Sequence, residues 1–188
     1  MQYNENLAIE TTRKKSLEIM HKGMISYKLA NIGWDVSEHF GDGFDLVATK
    51  TQNNKSHLIK IELKAVDLLS YAKNATGFSQ AISANEIVAA THLIISIFEG
   101  INSKGHFIMS IEQAFNAKKK TKKFVRFKNF QKYREDTAQA VQTKINNRKG
   151  NKDVTVRLSI DIGCTLNKYK QEKWDFETFR DKWENLTK

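Results

Sequence analysis

The segment His57–Val66 alternates, and the alternation puts charge where a sheet needs apolar surface. It reads His-Leu-Ile-Lys-Ile-Glu-Leu-Lys-Ala-Val. Side chains on a strand point alternately to opposite faces, so Ile61, Leu63 and Ala65 share one face and Glu62 and Lys64 the other. The apolar set belongs to a core. The Glu62–Lys64 pair is left together on a face that would otherwise be greasy. Upstream, Phe44–Thr49 also reads as a strand, and the polar run Lys50–Lys55 between the two is hairpin-like. An antiparallel hairpin brings Asp45, at the opening of the first strand, opposite the far end of the second, beside Glu62 and Lys64. The preceding Gly41-Asp42-Gly43 frees the backbone to turn tightly just before that acid.

Two carboxylates and one ammonium at one point suit metal-assisted phosphodiester cleavage. Mg²⁺ wants oxygen ligands and usually takes only one or two carboxylates, the rest being water and substrate phosphate. Asp45 and Glu62 meet that demand, and the backbone carbonyl of Leu63 is a natural third ligand. Such a metal polarises the scissile phosphate and lowers the pKa of a bound water. Lys64 can position or deprotonate that water, or neutralise charge building on the phosphate. The plainer alternative is a solvated cross-strand ion pair between Glu62 and Lys64 on an edge strand. The Gly-Asp-Gly-Phe-Asp-Leu-Val segment at the right upstream distance favours the catalytic reading.

Gly33-Trp34-Asp35-Val36, then Asp45, then Glu62-Leu63-Lys64 resembles the PD-(D/E)xK nuclease superfamily, over roughly residues 15–115. That superfamily includes restriction endonucleases, Holliday junction resolvases, transposon nucleases and repair nucleases. Its usual proline before the first acid is absent, and Phe44 stands there. The resemblance implies an α/β fold, a restriction-endonuclease-like α/β/α sandwich with a central mixed sheet. It implies Asp45 and Glu62 as metal ligands, Lys64 as the catalytic lysine, Mg²⁺ as cofactor with Mn²⁺ as a substitute, and DNA cut to 5′-phosphate and 3′-hydroxyl ends.

Many members add a glutamate from the first helix. Lys14–Ile32 reads as that helix, with Leu17, Ile25, Leu29 and Ile32 as its apolar stripe and Gly33 as its stop. Lys22 holds the place of the usual glutamate. Glu18, one turn earlier on a similar face, is the candidate, against the alternative of a first-turn acid answering the helix dipole and nearby lysines. Glu10 is a further candidate. Some relatives place a polar residue just after the Glu-x-Lys strand, which here points to Ser79 or Gln80, against a loop residue that merely satisfies backbone groups.

The 188 residues carry a formal net charge of +10, which favours a polyanionic partner. The run Lys118–Arg134 is the strongest basic feature. Lys119, Lys120, Lys122, Lys123, Arg126 and Lys128 are read as nucleic-acid contacts through phosphate, while Phe124, Phe127, Phe130 and Tyr133, spaced by three, suit a buried side better than base stacking. The chain therefore divides into a nuclease core, residues 1–117, and a basic C-terminal region, residues 118–188, packed on it for DNA contact or dimerisation. A homodimer would set two sites on the two strands of a duplex.

Further along, Ser83 and Glu86 form a capping box before a helix at Ala84. His92–Glu99 and Lys104–Ser110 are strands, Ile111–Ala117 starts a helix, and Asp153–Ile162 alternates as a strand. Trp174–Leu186 is predicted to be a closing helix capped by Asp175. His21, His39, His57, His92 and His106 lack metal spacing, although His39 is close enough in sequence to touch substrate. The lone Cys164 excludes an intramolecular disulfide. No signal pattern or membrane-length apolar run is visible, which predicts a cytoplasmic protein with no membrane partner. The composite expectation is a Mg²⁺-dependent endodeoxyribonuclease of restriction type. A junction resolvase or repair nuclease, an RNA nuclease, and a non-catalytic nucleic-acid-binding protein of the same fold are the alternatives.

Overall fold

The computed structural model describes residues 2–70, 78–118, 128–146, 158–162, 164–166, 172–174 and 177–187. It opens with one long helix, α1 (Gln2–Asn31), which starts well before the expected Lys14. Gly33 stops it, with φ +85°, as the Trp34 N–H returns to the Leu29 carbonyl at 3.0 Å. The lower half of α1 is amphipathic as expected: Ile25 and Leu29 are fully buried. Ile32 leaves the stripe, 41% exposed beyond the helix end, and its carbonyl accepts the Lys50 ammonium.

Strands β1 (Asp35–Glu38), β2 (Leu46–Gln52) and β3 (Lys55–Asp67) follow as an antiparallel meander. The β2–β3 turn is tighter than the polar run suggested. Asn53 and Asn54 alone make it, at φ 52° and 59°, the left-handed pair that a two-residue hairpin needs. Strand β4 (Phe78–Ile82) and helix α2 (Ala84–Ala89) form the crossover to β5 (His92–Glu99), which pairs parallel to β3. Strand β6 (Asn102–Ser110) returns antiparallel to β5. The result is a five-stranded mixed sheet in the order β1-β2-β3-β5-β6. Helices α3 (Ile111–Lys118) and α4 (Phe130–Asn146) come next, then short strands β7 (Leu158–Ile162), β8 (Cys164–Leu166) and β9 (Glu172–Trp174). β7 pairs with β4, and β8 with β9, outside the main sheet.

Each face of the sheet builds its own core. On one face, Ile25 and Leu29 of α1 meet Leu46, Ala48, Ile59, Ile61, Leu63, Ile94 and Ile108, with Leu186 from the C-terminus. On the other, Val66, Leu93, Ile95, Ile97, Phe107 and Met109 meet Ile82, Ile87, Phe115 and Tyr133. The fold is thus α/β, a mixed sheet flanked by helices. β5 explains the continuous apolar run in the sequence: all residues from His92 to Phe98 are buried, as a central strand covered on both faces requires. Of the aromatics spaced by three, Tyr133 is fully buried and stacks on Phe115 at 4.9 Å between centroids, and Phe130 packs beside it. Phe124 and Phe127 lie outside the described residues.

The predicted helix over Trp174–Leu186 does not form. The chain runs instead through β9 and two 3₁₀ turns, Glu177–Phe179 and Trp183–Thr187. Asp181 interrupts it at φ 51°. The Asp181 N–H donates to the His106 carbonyl at 2.6 Å, and its carboxylate accepts the His106 N–H at 3.1 Å. Docking onto the edge strand β6 satisfies backbone groups that a helix would have kept internal. Asp175 and residues 153–157 lie outside the described residues. Among the described residues, no helix is long and apolar enough to cross a membrane.

Ile94 and Ile95 are both fully buried, one on each core. Ile94→Ala and Ile95→Ala should each cost about 2–5 kcal/mol in denaturant unfolding. Ile101→Ala, at a site 82% exposed, should change stability by no more than about 0.5 kcal/mol.

Candidate functional site

The site lies where the sheet forks. β2 pairs with β3 only up to Leu46↔Ile61. β3 runs on to Asp67, paired on its other side with β5. From Glu62 onward, among the described residues, one edge of β3 therefore has no strand against it in the main sheet. Asp45 sits at the fork. Its N–H donates to the Ile61 carbonyl at 2.8 Å, and its Oδ2 accepts the Leu63 N–H at 2.9 Å. The carboxylate does there what a strand carbonyl would have done. N–H and C=O of one strand residue project from the same edge, so the Leu63 carbonyl faces the fork as well.

Local sequence fixes Asp45 in this place. Gly43 has φ +103°, and a Cβ there would lie 2.6 Å from that of Ala89 on α2. Only glycine permits both the turn and the close approach. Phe44 packs into the core beneath α2 and stacks on His39, with ring centroids 4.0 Å apart. The His39 N–H donates to the Asp45 carbonyl at 2.8 Å.

The other expected residues converge on the same point. The Lys64 ammonium lies 2.7 Å from Glu62 Oε1 and 3.0 Å from Glu86 Oε1. Glu86 is held by the capping box that the sequence signalled: its Oε2 accepts the Ser83 N–H at 2.7 Å. The Lys22 ammonium lies 2.8 Å from Asp45 Oδ1. Asp45, Glu62, Lys64 and Lys22 line a cleft of about 390 Å³, together with Lys14, His21, Leu63, Glu18 and Gln80. Asp45, Glu62, Lys64 and Leu63 are thus brought together, with exposed Glu18 and half-buried Gln80 at the same cleft. Farther up α1, the Arg13 guanidinium bonds Asp67 at the end of β3. The side chains of Glu10 and Ser79, and the whole of Lys119, Lys120, Lys122, Lys123 and Arg126, lie outside the described residues. Lys128 is described and exposed.

Burial decides the charges. Glu62 is 6% exposed, and desolvation pushes its pKa up to about 7, against the pull of Lys64 in the opposite direction. Burial also works against the Lys64 ammonium, but Glu62 and Glu86 outweigh it and hold its pKa above the ordinary lysine value. Lys22 behaves alike: burial lowers it, while Asp45, and more distantly Glu38 and Glu18, raise it further. Both lysines are therefore ammonium groups at neutral pH.

Sequence reasoning missed two residues that line this cleft, Lys22 and His21, and one that grips Lys64 beside it, Glu86. Glu86 was legible only as a cap, because nothing in the chain says that the first turn of α2 abuts Lys64. Lys22 was read as the occupant of another residue's place, without a partner. His21 was set aside for want of metal spacing. It lines the cleft, and its Nε2 lies 2.6 Å from Ser96 Oγ, itself 2.7 Å from His106 Nδ1. A hydroxyl has one proton, so Ser96 donates to one ring and accepts from the other. Burial above all pushes His21 and His106 down to about 4.

No family model, curated protein or solved structure matches the chain.

Among the described residues, no group of three or more histidine, cysteine, aspartate or glutamate side chains is placed to hold a metal ion. A two-carboxylate set remains, Asp45 and Glu62, with the Leu63 carbonyl at the same fork. Hard oxygen donors in that number suit Mg²⁺ or Mn²⁺, which fill their other positions with water and phosphate. Glu62 adds a reason for the fit: a carboxylate whose ionisation is opposed by burial gains from a nearby cation.

These shifts have opposite signs in stability. Glu62 binds its proton near pH 7 when folded and near 4.5 when unfolded, so its burial costs stability increasingly as pH rises through that interval. His21 and His106 take up protons near pH 4 when folded and near 6.5 when unfolded, so their contribution is complete above 6.5 and lost as pH falls toward 4. In metal-free buffer, the melting temperature of Glu62→Gln relative to wild type should rise between pH 4.5 and pH 7 by on the order of 5 °C. A pH-independent difference would mean that Glu62 is ionised throughout.

Proposed function

We propose that this cleft hydrolyses DNA phosphodiester bonds with the help of Mg²⁺, as an endonuclease of the PD-(D/E)xK, restriction-endonuclease-like type. The observation that carries the reading is the fork. Asp45, just before β2, and Glu62 on β3 line one cleft where β3 runs past the end of β2, with the Lys64 ammonium against Glu62. The layered α/β architecture and the order of helix, meander and parallel crossover are those the superfamily would require.

In this reading Asp45, Glu62 and the Leu63 carbonyl hold Mg²⁺, or Mn²⁺ in its stead. The bound ion supplies Lewis-acid polarisation of the phosphate and a more acidic water. Lys64 is protonated and gripped by Glu62 and Glu86, so it orients the attacking water and answers charge on the phosphate oxygens rather than removing a proton. Lys14 and Lys22 add positive charge to the cleft wall for an incoming phosphate. Glu18 stands at the rim as a further carboxylate of the first helix, and Gln80 faces the same space. Cleavage leaves 5′-phosphate and 3′-hydroxyl ends. The basic stretch from Lys119 to Lys128 contributes salt-dependent backbone contacts, and a homodimer places two such sites on one duplex. A sequence-specific cutter of restriction type is preferred to a junction resolvase or a repair nuclease, because a basic stretch of its own beside the core suits it.

A plasmid nicking assay tests this. Wild type should nick supercoiled DNA with Mg²⁺ and fail with a chelator. Asp45→Ala and Lys64→Ala should each lose about 100-fold or more of the rate. Equal cutting by wild type and Asp45→Ala would misassign the site. Nicking confined to four-way junctions or to structured RNA would move the substrate to the corresponding rival.

A further inference from the structure

The fork already holds a cation, and the chain itself supplies it. Asp45 Oδ2 is engaged by the Leu63 N–H. Asp45 Oδ1 is the oxygen left to face the cleft, and the Lys22 ammonium sits on it at 2.8 Å. Lys22 comes from α1, an element that shares no backbone ladder with the fork. Its side chain is 28% exposed. A four-carbon stem with that freedom can swing off the carboxylate without moving the helix. A divalent ion at Asp45 and an ammonium on the same carboxylate would repel strongly at such range, since two charges about 4 Å apart still interact appreciably in a partly buried site.

We propose that Lys22 is an internal competitor for the metal: it caps Asp45 in the unloaded protein, and metal loading turns it out toward the phosphate of the incoming nucleic acid. The inference rests on the metal-site reading above and adds a regulatory residue to it. Two consequences follow from one ion pair. The ion-free cleft presents fewer free cations to a polyanion, because Lys22 is tied to Asp45 and Lys64 to Glu62 and Glu86. Loading the site releases one of them, so metal and nucleic acid should bind with positive coupling that passes through Lys22.

Calorimetric titration with Mn²⁺, in the absence of nucleic acid, reads the competition directly. Wild type, Lys22→Gln, Lys14→Gln and Asp45→Asn are compared after thermal melts have established that each is folded. Wild type should bind Mn²⁺, Lys22→Gln about tenfold more tightly, and Asp45→Asn far more weakly. Lys14→Gln removes a charge from the same cleft wall and should change the affinity much less than Lys22→Gln. Equal affinity of wild type and Lys22→Gln, or an equal gain in Lys14→Gln, overturns the competitor role while leaving the metal site intact. Absence of Mn²⁺ binding in both wild type and Lys22→Gln overturns the metal site itself, and the competitor role falls with it. A second arm uses Ca²⁺ and a labelled duplex, followed by anisotropy. Ca²⁺ should strengthen duplex binding by wild type more than by Lys22→Gln, and an identical gain in both would refute the release of Lys22 toward phosphate.

Discussion

The arrangement at the cleft depends on a mismatch of length between two strands. β3 has 13 residues and β2 has seven. Among the described residues, the excess leaves backbone donors and acceptors on one side of β3 with no neighbouring strand, and such groups are costly to bury unpaired. Asp45 resolves the first of them by giving its carboxylate to the Leu63 N–H. That one hydrogen bond ends the antiparallel meander, opens the space into which α1 projects its polar side chains, and fixes an acid against Glu62. Gly43 and Phe44 serve the same bond by holding the preceding turn against α2.

The charges around the fork then form a chain of dependencies. Glu62 is buried and needs Lys64. Lys64 is half-buried and is held by Glu86 as well. Glu86 is steadied by the N-cap of α2, so a local helix signal ends up orienting a lysine on a distant strand. Three carboxylates, Asp45, Glu62 and Glu86, face two ammonium groups, Lys22 and Lys64. Burial is the main reason that Glu62, the most buried of the three, resists ionisation, and the charges of Glu86 and Asp45 add to it.

Much of this was written locally in the chain. The alternation of β3 placed Glu62 and Lys64 on one face, the hairpin set Asp45 opposite them, and Ser83-x-x-Glu86 announced α2 at its first residue. The apolar run of β5 and the stop at Gly33 were equally plain. What escaped was set by tertiary contact. The C-terminal segment carried an amphipathic pattern suited to a helix, yet Asp181 found better partners on the exposed edge of β6. The roles of Lys22, Glu86 and His21 depend on which elements meet at the fork, and pairing between elements leaves no mark within either one. The basic residues from Lys119 to Arg126, read from the sequence as nucleic-acid contacts, lie outside the described residues, so that reading rests on composition alone.

One helix carries both a wall and a roof. Along α1, Arg13, Glu18, His21 and Lys22 turn toward β3 and the fork, and Ile25 and Leu29 continue the same side into the core. The polar half and the apolar half are thus written in a single reading frame about one axis. A one-residue insertion between Lys22 and Ile25 would rotate the whole polar half by about 100° relative to the apolar half. Every tie that α1 makes to the fork would slip at once, while the hydrophobic footing below stayed in place. Length, and not only identity, is therefore constrained between Lys22 and Ile25.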